Sequence, residues 1–257
     1  MGITELTKYI VKNSYLSYKN SFRMSIFGYF WAIFQPAAMI ALYSVVFGHF
    51  MKTKIDLPDG QGYAVFVSVA LLPWMVFSVA LQNGATAILE NAAYIKKIAV
   101  PIYVYPAKAA LEQLYGLAAI VAVLFVFLSF YGGVKLSWLL CVPIMFLLGM
   151  AAIGISMILS VVTVFLRDMQ KALAFFMQLL MWALPIVYPL SIIPENMRWI
   201  VEYNPLFYYF DSLRSLLLYQ NFISVWHIVI MTVFSVLVFA FGLWMCVRAE
   251  DKIRDIV

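Results

Sequence analysis

Residues 136–166 read LSWLLCVPIMFLLGMAAIGISMILSVVTVFL, an unbroken run with no Asp, Glu, Lys or Arg. A helix needs roughly 20 apolar residues to cross about 30 Å of hydrocarbon, and lipid offers no partner to an open backbone, so this run reads as a membrane-spanning helix. Outward from it, five more stretches are free of charge: 27–50, 63–89, 113–134, 172–194 and 215–247. Six transmembrane helices are therefore expected, in an all-α polytopic membrane protein with one membrane domain over residues 1–257. Composition agrees, with 65% of the chain hydrophobic and 11% charged, against roughly half and a quarter in soluble domains.

Seventeen basic and twelve acidic side chains give +5. In a membrane protein such an excess faces anionic lipid on the cytoplasmic side and does not point to nucleic acid. With both termini inside, twelve Lys/Arg are cytoplasmic and five, Lys52, Lys54, Lys135, Arg198 and Arg214, are outside, the distribution that the positive-inside rule favours. Lys8, Lys12, Lys19 and Arg23 enclose no apolar core, unlike a cleaved signal peptide, so the mature protein is expected to keep its N-terminus. Lys8, Lys12 and Lys19 share one helical face, while Ile3, Leu6 and Ile10 fall on the other. That describes an interfacial helix over 1–24 or, equally, a positive anchor that only sets topology. Gly132, Gly133 and Lys135 mark a tight hairpin between the third and fourth runs.

Chemistry-bearing residues are sparse. Cys141 and Cys246 sit inside apolar runs and support neither a disulfide framework nor a thiolate metal site. His49 and His227 are single and near the expected outer edge, so they read as interfacial histidines, and no metal-binding or catalytic residue is assigned. Glu112 follows Lys108 by one helical turn, a structural pair by default. An intramembrane enzyme acting on lipid-linked sugar would need a His/Asp/Glu cluster, and an ion-gradient-coupled flippase would need functional intramembrane charges and repeats; neither pattern is found.

Aromatic residues are abundant: 21 Phe, 16 Tyr and 7 Trp. Trp74, Trp138, Trp199 and Trp226 fall near expected outer ends and read as an interfacial belt. Tyr29, Phe30, Trp31 and Phe34 in the first run, and Trp182 and Tyr188 in the fifth, accompany Gln35 and Gln178. Aromatic faces stack on the C–H faces of pyranose rings while amides meet hydroxyls, so this set suits a conduit for sugar. Packing against lipid or a neighbouring helix is the ordinary alternative for any single one. The fifth run ends among Pro185, Pro189, Pro194 and Asn204-Pro205, where short re-entrant helices over 189–214 are expected between the fifth and sixth spans. Glu195, Arg198 and Glu202 share a face there and read as surface ion pairing. Ala152, Ser156 and Ser160, with Gly149 and Gly154 nearby, form a small-residue stripe for close packing, within the chain or between two copies.

Three ordered groups carry a resemblance. The first is Phe22-Arg23, Ser25, Gly28-Tyr29, Trp31 and Pro36, running on to Tyr43 and Phe47; the second is Lys96-Lys97-Ile98, Pro101, Pro106 and Glu112. The third is Arg167-Asp168, Gln178, Trp182, Pro185-Ile186-Val187-Tyr188, Pro194 and Asn204-Pro205. Over nearly the whole chain this order resembles the membrane subunit, or permease, of ABC exporters that move polysaccharide on a lipid carrier. The resemblance implies a transport subunit rather than an enzyme. It also implies a homodimer in the bacterial inner membrane, with the pathway between protomers, driven by two copies of a separate ATPase that holds ATP and magnesium. No Gly-x-x-x-x-Gly-Lys-Ser/Thr loop occurs here, in keeping with that division of labour, and no cofactor is expected on this chain. O-antigen, capsule and teichoic acid all remain possible cargo, and an exporter of a small lipid or drug is the alternative. The resemblance makes segment 84–99, with Glu90, Tyr94, Lys96 and Lys97, a coupling helix that docks on the ATPase, where it otherwise reads as a positive loop. It also puts Lys19 and Arg23 where a lipid pyrophosphate would approach, since guanidinium binds phosphate bidentately; topology anchoring explains the same two residues.

Overall fold

The computed structural model describes residues 3–23, 28–52, 55, 57, 62–97, 100–132 and 136–256, and is helical with no strand among them. The chain starts with α1 (Ile3–Arg23) and α2 (Gly28–Tyr43), which a π-helical segment Ser44–Phe50 extends. Next come α3 (Tyr63–Glu90), the short α4 (Ala92–Ile95) and α5 (Val104–Gly132). A 3₁₀ turn at Leu136–Leu140 leads into α6 (Cys141–Phe165), followed by α7 (Met169–Ala183). Two further 3₁₀ turns, Leu190–Ile192 and Glu195–Met197, precede α8 (Trp199–Glu202), α9 (Pro205–Leu217) and α10 (Val225–Ile256). Among the described residues five segments are long and apolar enough to cross a membrane: Ile33–Phe50, Tyr63–Glu90, Val104–Val126, Trp138–Phe165 and Val225–Ile256.

The expected fifth crossing, 172–194, differs. Its helix α7 has 15 residues, about 22 Å at 1.5 Å per residue, less than the roughly 30 Å hydrocarbon core. Pro185 is the cause: proline disfavours helical geometry at the residue before it, and Leu184 is extended at φ −95°, ψ 143°. Leu184, Pro185, Ile186 and Val187 continue as buried, irregular chain. The short helical pieces expected after the break are present from Leu190 to Leu217.

A helix that is apolar on every side must be surrounded, and α3 is the surrounded one, packed by α5, α6, α7 and α9. The small-residue stripe serves contacts within this chain. Ala152, Ser156 and Ser160 are fully buried, and Ser156 Oγ donates to the Ala80 carbonyl of α3 at 3.2 Å. On the other side α10 runs parallel to α6, with Ser235 Oγ donating to Leu147 O at 2.8 Å and Cys246 Sγ to Met157 O at 3.7 Å. A Cβ on Gly154 would lie 2.6 Å from Phe239 Cα, so only glycine lets these two backbones meet.

Two of the four tryptophans expected at the membrane edge are core residues. Trp74 is 3% exposed, 5.9 Å from both the Phe77 and Phe210 rings, and Trp138 is 4% exposed beside Phe125. The reason is tertiary: α9 folds back over the first half of α3 and covers Trp74. Trp199 and Trp226 are exposed, as a belt requires.

Helix α1 lies along α5. Its Leu6 and Ser14 point inward, Lys8, Lys12 and Lys19 are exposed, and Tyr115 of α5 donates to Val11 O at 3.1 Å while meeting Tyr15 edge-on.

Candidate functional site

Irregular backbone among apolar side chains leaves carbonyls that must find donors. At the break after α7 they find two. Arg214 of α9, 6% exposed, donates through Nη1 to Pro185 O and through Nη2 to Ile186 O. Tyr63, the first residue of α3, donates its hydroxyl to Val187 O. The guanidinium lies 3.9 Å over the Phe66 ring, a cation–π contact that offsets part of its desolvation. A planar fork suits two successive carbonyls better than a lysine ammonium would.

The helix that carries Arg214 is itself fixed. Asn204 Oδ1 accepts from Leu206 N at 3.0 Å, with Pro205 opening the helix, a favourable start because proline has no N–H to leave unpaired. Tyr209 donates to Met231 O at 2.8 Å and lies 2.5 Å from Ser235 Oγ, tying α9 to α10. His227 of α10 approaches Asp211 at 3.8 Å. Arg198 pairs with Glu195 at 3.8 Å on the surface, as expected for that pair. Arg214, expected only as one of five outer-side cations, is therefore a buried pin between α9 and the 185–186 backbone. The available signal was a single cation between Leu213 and the apolar Leu216–Leu218, since ionisable residues at membrane depth are rarely idle.

Trp182, near the end of α7, is 45% exposed and sits 6.3 Å from both the Tyr43 and Phe47 rings at the far end of the first span. Tyr188 donates to Trp182 O at 2.6 Å across the break. Phe47 in turn stacks on Tyr63 at 6.0 Å, so the aromatic group continues into the clamp. Gln178, one turn before Trp182, is exposed. At the start of α2, Phe30, Trp31 and Phe34 form a second aromatic group with centroids 5.0–5.7 Å apart, each about half exposed. The expected pathway residues fall into two groups, one on each run; the Tyr29 side chain lies outside the described residues. Tyr43 and Phe47 join the Trp182 group only through packing between α2 and α7, which no local pattern signals.

At the opposite end of α3, Glu90 closes the helix and Asn91 turns the chain into α4. Glu90, Tyr94, Lys96 and Lys97 are all exposed, Tyr94 at 61%, while Ile95 between them is buried. Four exposed polar side chains thus surround one apolar anchor. Lys19 is exposed on α1; the Arg23 side chain lies outside the described residues, as do Ile98 and Ala99. Among the described residues no three His, Cys, Asp or Glu side chains gather in a metal-binding group.

A family model described as ABC-2 type transporter matches residues 6–218. The chain is 32% identical over 231 residues to an O-antigen export system permease protein of Klebsiella pneumoniae, covering 86% of each. It is 26% identical over 179 residues to a protein of the same description from Myxococcus xanthus, covering 69% of this chain and 67% of the relative. Against a polysialic acid transport protein of Escherichia coli it is 30% identical over 190 residues, covering 73% and 72%. The chain belongs to the membrane-spanning family of ABC-2 type transporters.

Proposed function

We propose that this ABC-2 type permease moves a lipid-linked polysaccharide from the cytoplasmic side across the bacterial inner membrane, as a homodimer driven by two copies of a separate ATPase. The observation that carries the reading is the aromatic face of α2 and α7: Phe30, Trp31, Phe34 and Trp182 stay exposed on helices whose neighbours α3 and α6 are closed by tight packing. Relatives described as O-antigen export and polysialic acid transport proteins support the polysaccharide class. Facing a second copy, that surface lines a passage in which rings stack on sugar and Gln178 meets hydroxyls without holding them tightly.

In this reading α7 and the buried 184–187 segment together make the fifth of six crossings, and the pieces from Leu190 to Leu217 form a re-entrant cap over the outer mouth. Both termini are cytoplasmic. Lys19 and Arg23 receive the pyrophosphate of the lipid carrier. Glu90, Tyr94, Lys96 and Lys97 dock on the ATPase, which holds ATP and magnesium. ATP-driven closure of the ATPase pair displaces α4 and separates α2 and α7 of the two protomers, opening the way for the carrier and then its glycan.

Replacing Trp31 and Trp182 by Ala, singly, is expected to lower surface polysaccharide several-fold while the ATPase still co-purifies with the permease. Normal polysaccharide in both variants would sink the pathway assignment. Loss of transport of a small amphiphile, with polysaccharide untouched by deletion of the whole permease, would transfer the protein to small-lipid or drug export.

A further inference from the structure

Helix α10 has 32 residues, about 48 Å at 1.5 Å per residue, and therefore outruns a bilayer core of roughly 30 Å. Its last turns carry Arg248, Glu250, Asp251, Lys252, Arg254 and Asp255 and do not end free in water. Arg254 Nη1 donates to Ile95 O at 2.9 Å and Nη2 to Val100 O at 2.6 Å. Those two carbonyls bracket Lys96 and Lys97, so one guanidinium spans the base of the segment that follows α4. Glu250, one turn earlier, holds the fork with Oε1 at 3.1 Å from Nε and 2.8 Å from Nη2. Beneath this contact Ile253, fully buried, packs in one apolar cluster with Ile88, Ile95, Ile102 and Cys246.

We propose that Arg254 is a positioning residue that makes α10 a second lever on the ATPase-docking segment. On this view the segment's displacement is passed to α6 and α10 as well as to α3 and α5. The inference rests on the ABC reading of the docking segment and adds a route by which that segment moves the bundle. The route is continuous. Arg254 holds the Ile95 and Val100 carbonyls, Ile253 packs in the Ile95 cluster, Cys246 donates to Met157 O, and Phe239 and Gly242 press on Gly154. A lysine ammonium concentrates its three donors on one nitrogen and cannot place two separate nitrogens against the two carbonyls as the planar fork does. The role therefore belongs to the guanidinium's shape and not to its charge.

The test uses the permease purified with its ATPase in lipid nanodiscs, comparing wild type, Arg254→Ala and Arg254→Lys, with surface polysaccharide measured in cells. Expected for both variants is an ATPase bound at wild-type stoichiometry, ATP hydrolysis within about twofold of wild type, and export per ATP hydrolysed lowered about tenfold, a size ordinary for coupling between sites. Full coupling in Arg254→Lys would show that charge alone suffices and overturn the proposal, as would normal export in Arg254→Ala. Should Arg254→Ala not accumulate, the Lys variant, which keeps the charge and the stem, decides alone. A wild-type permease that captures no ATPase would instead overturn the ABC reading beneath the proposal.

Discussion

Arginines close two breaks in the helical order, one at each end of α3, and their surroundings are opposite. At the α7 break, Arg214 is 6% exposed and faces an aromatic ring and two carbonyls. Beyond α4, the Arg254 side chain is 28% exposed and is neutralised by Glu250. A buried carbonyl deprived of its donor costs about 1–3 kcal/mol, whereas one that water can reach loses far less. The first clamp is therefore part of the fold, and the second is a contact that can open and re-form. That difference fits the proposed function, in which the first clamp holds irregular backbone in place and the second borders a segment that moves.

Removing the first guanidinium should have the largest effect. Arg214→Ala is expected to lower stability by about 3–5 kcal/mol, since two carbonyls are orphaned in a dry site. Thermal unfolding in detergent would show it, read by the reactivity of Cys141 and Cys246, both free and buried. An unchanged midpoint would break the comparison at its stronger end. Arg214→Lys should fall between, because the charge survives and the fork is lost.

Gly154→Leu sets the scale for a packing error that involves no arginine: the side chain would run into the Phe239 backbone and cost about 1–3 kcal/mol in the same assay. A loss there as small as in a surface variant would mean that α6 and α10 can separate cheaply. Arg254→Ala should cost about 1 kcal/mol in stability. Equal losses for Arg214→Ala and Arg254→Ala would erase the distinction between a fixed and a releasable clamp. Smallest of all, Tyr188→Phe removes the hydroxyl donated to Trp182 O and should cost about 0.5 kcal/mol, with export reduced only if Trp182 tilts.

Much of the architecture was legible without coordinates. Runs of uncharged residues predict membrane helices because the hydrophobic effect acts on each segment where it stands. The α6 run quoted at the start is such a helix, and the Pro185–Pro205 series did announce short helices after α7. The exposed residues on α2, α7 and the 90–97 segment were legible as types but not as groups. Tyr43 and Phe47 belong with Trp182 only because two helices distant in sequence lie side by side. The burial of Trp74 is not legible because its cover comes from α9, and that of Arg214 is not because its partners lie near residue 185.

The amino-acid order by itself determined that the chain is an all-helical membrane protein, where most of its helices run, and which family pattern it carries. Those properties follow from local composition and spacing. Only the tertiary structure decided which carbonyls need an external donor and which arginine supplies it. Those partners stand 29 positions apart for Arg214 with Pro185 and 159 for Arg254 with Ile95. A hydrogen bond depends on geometry over a few ångströms, and residues so far apart reach that geometry only when the helices between them have packed.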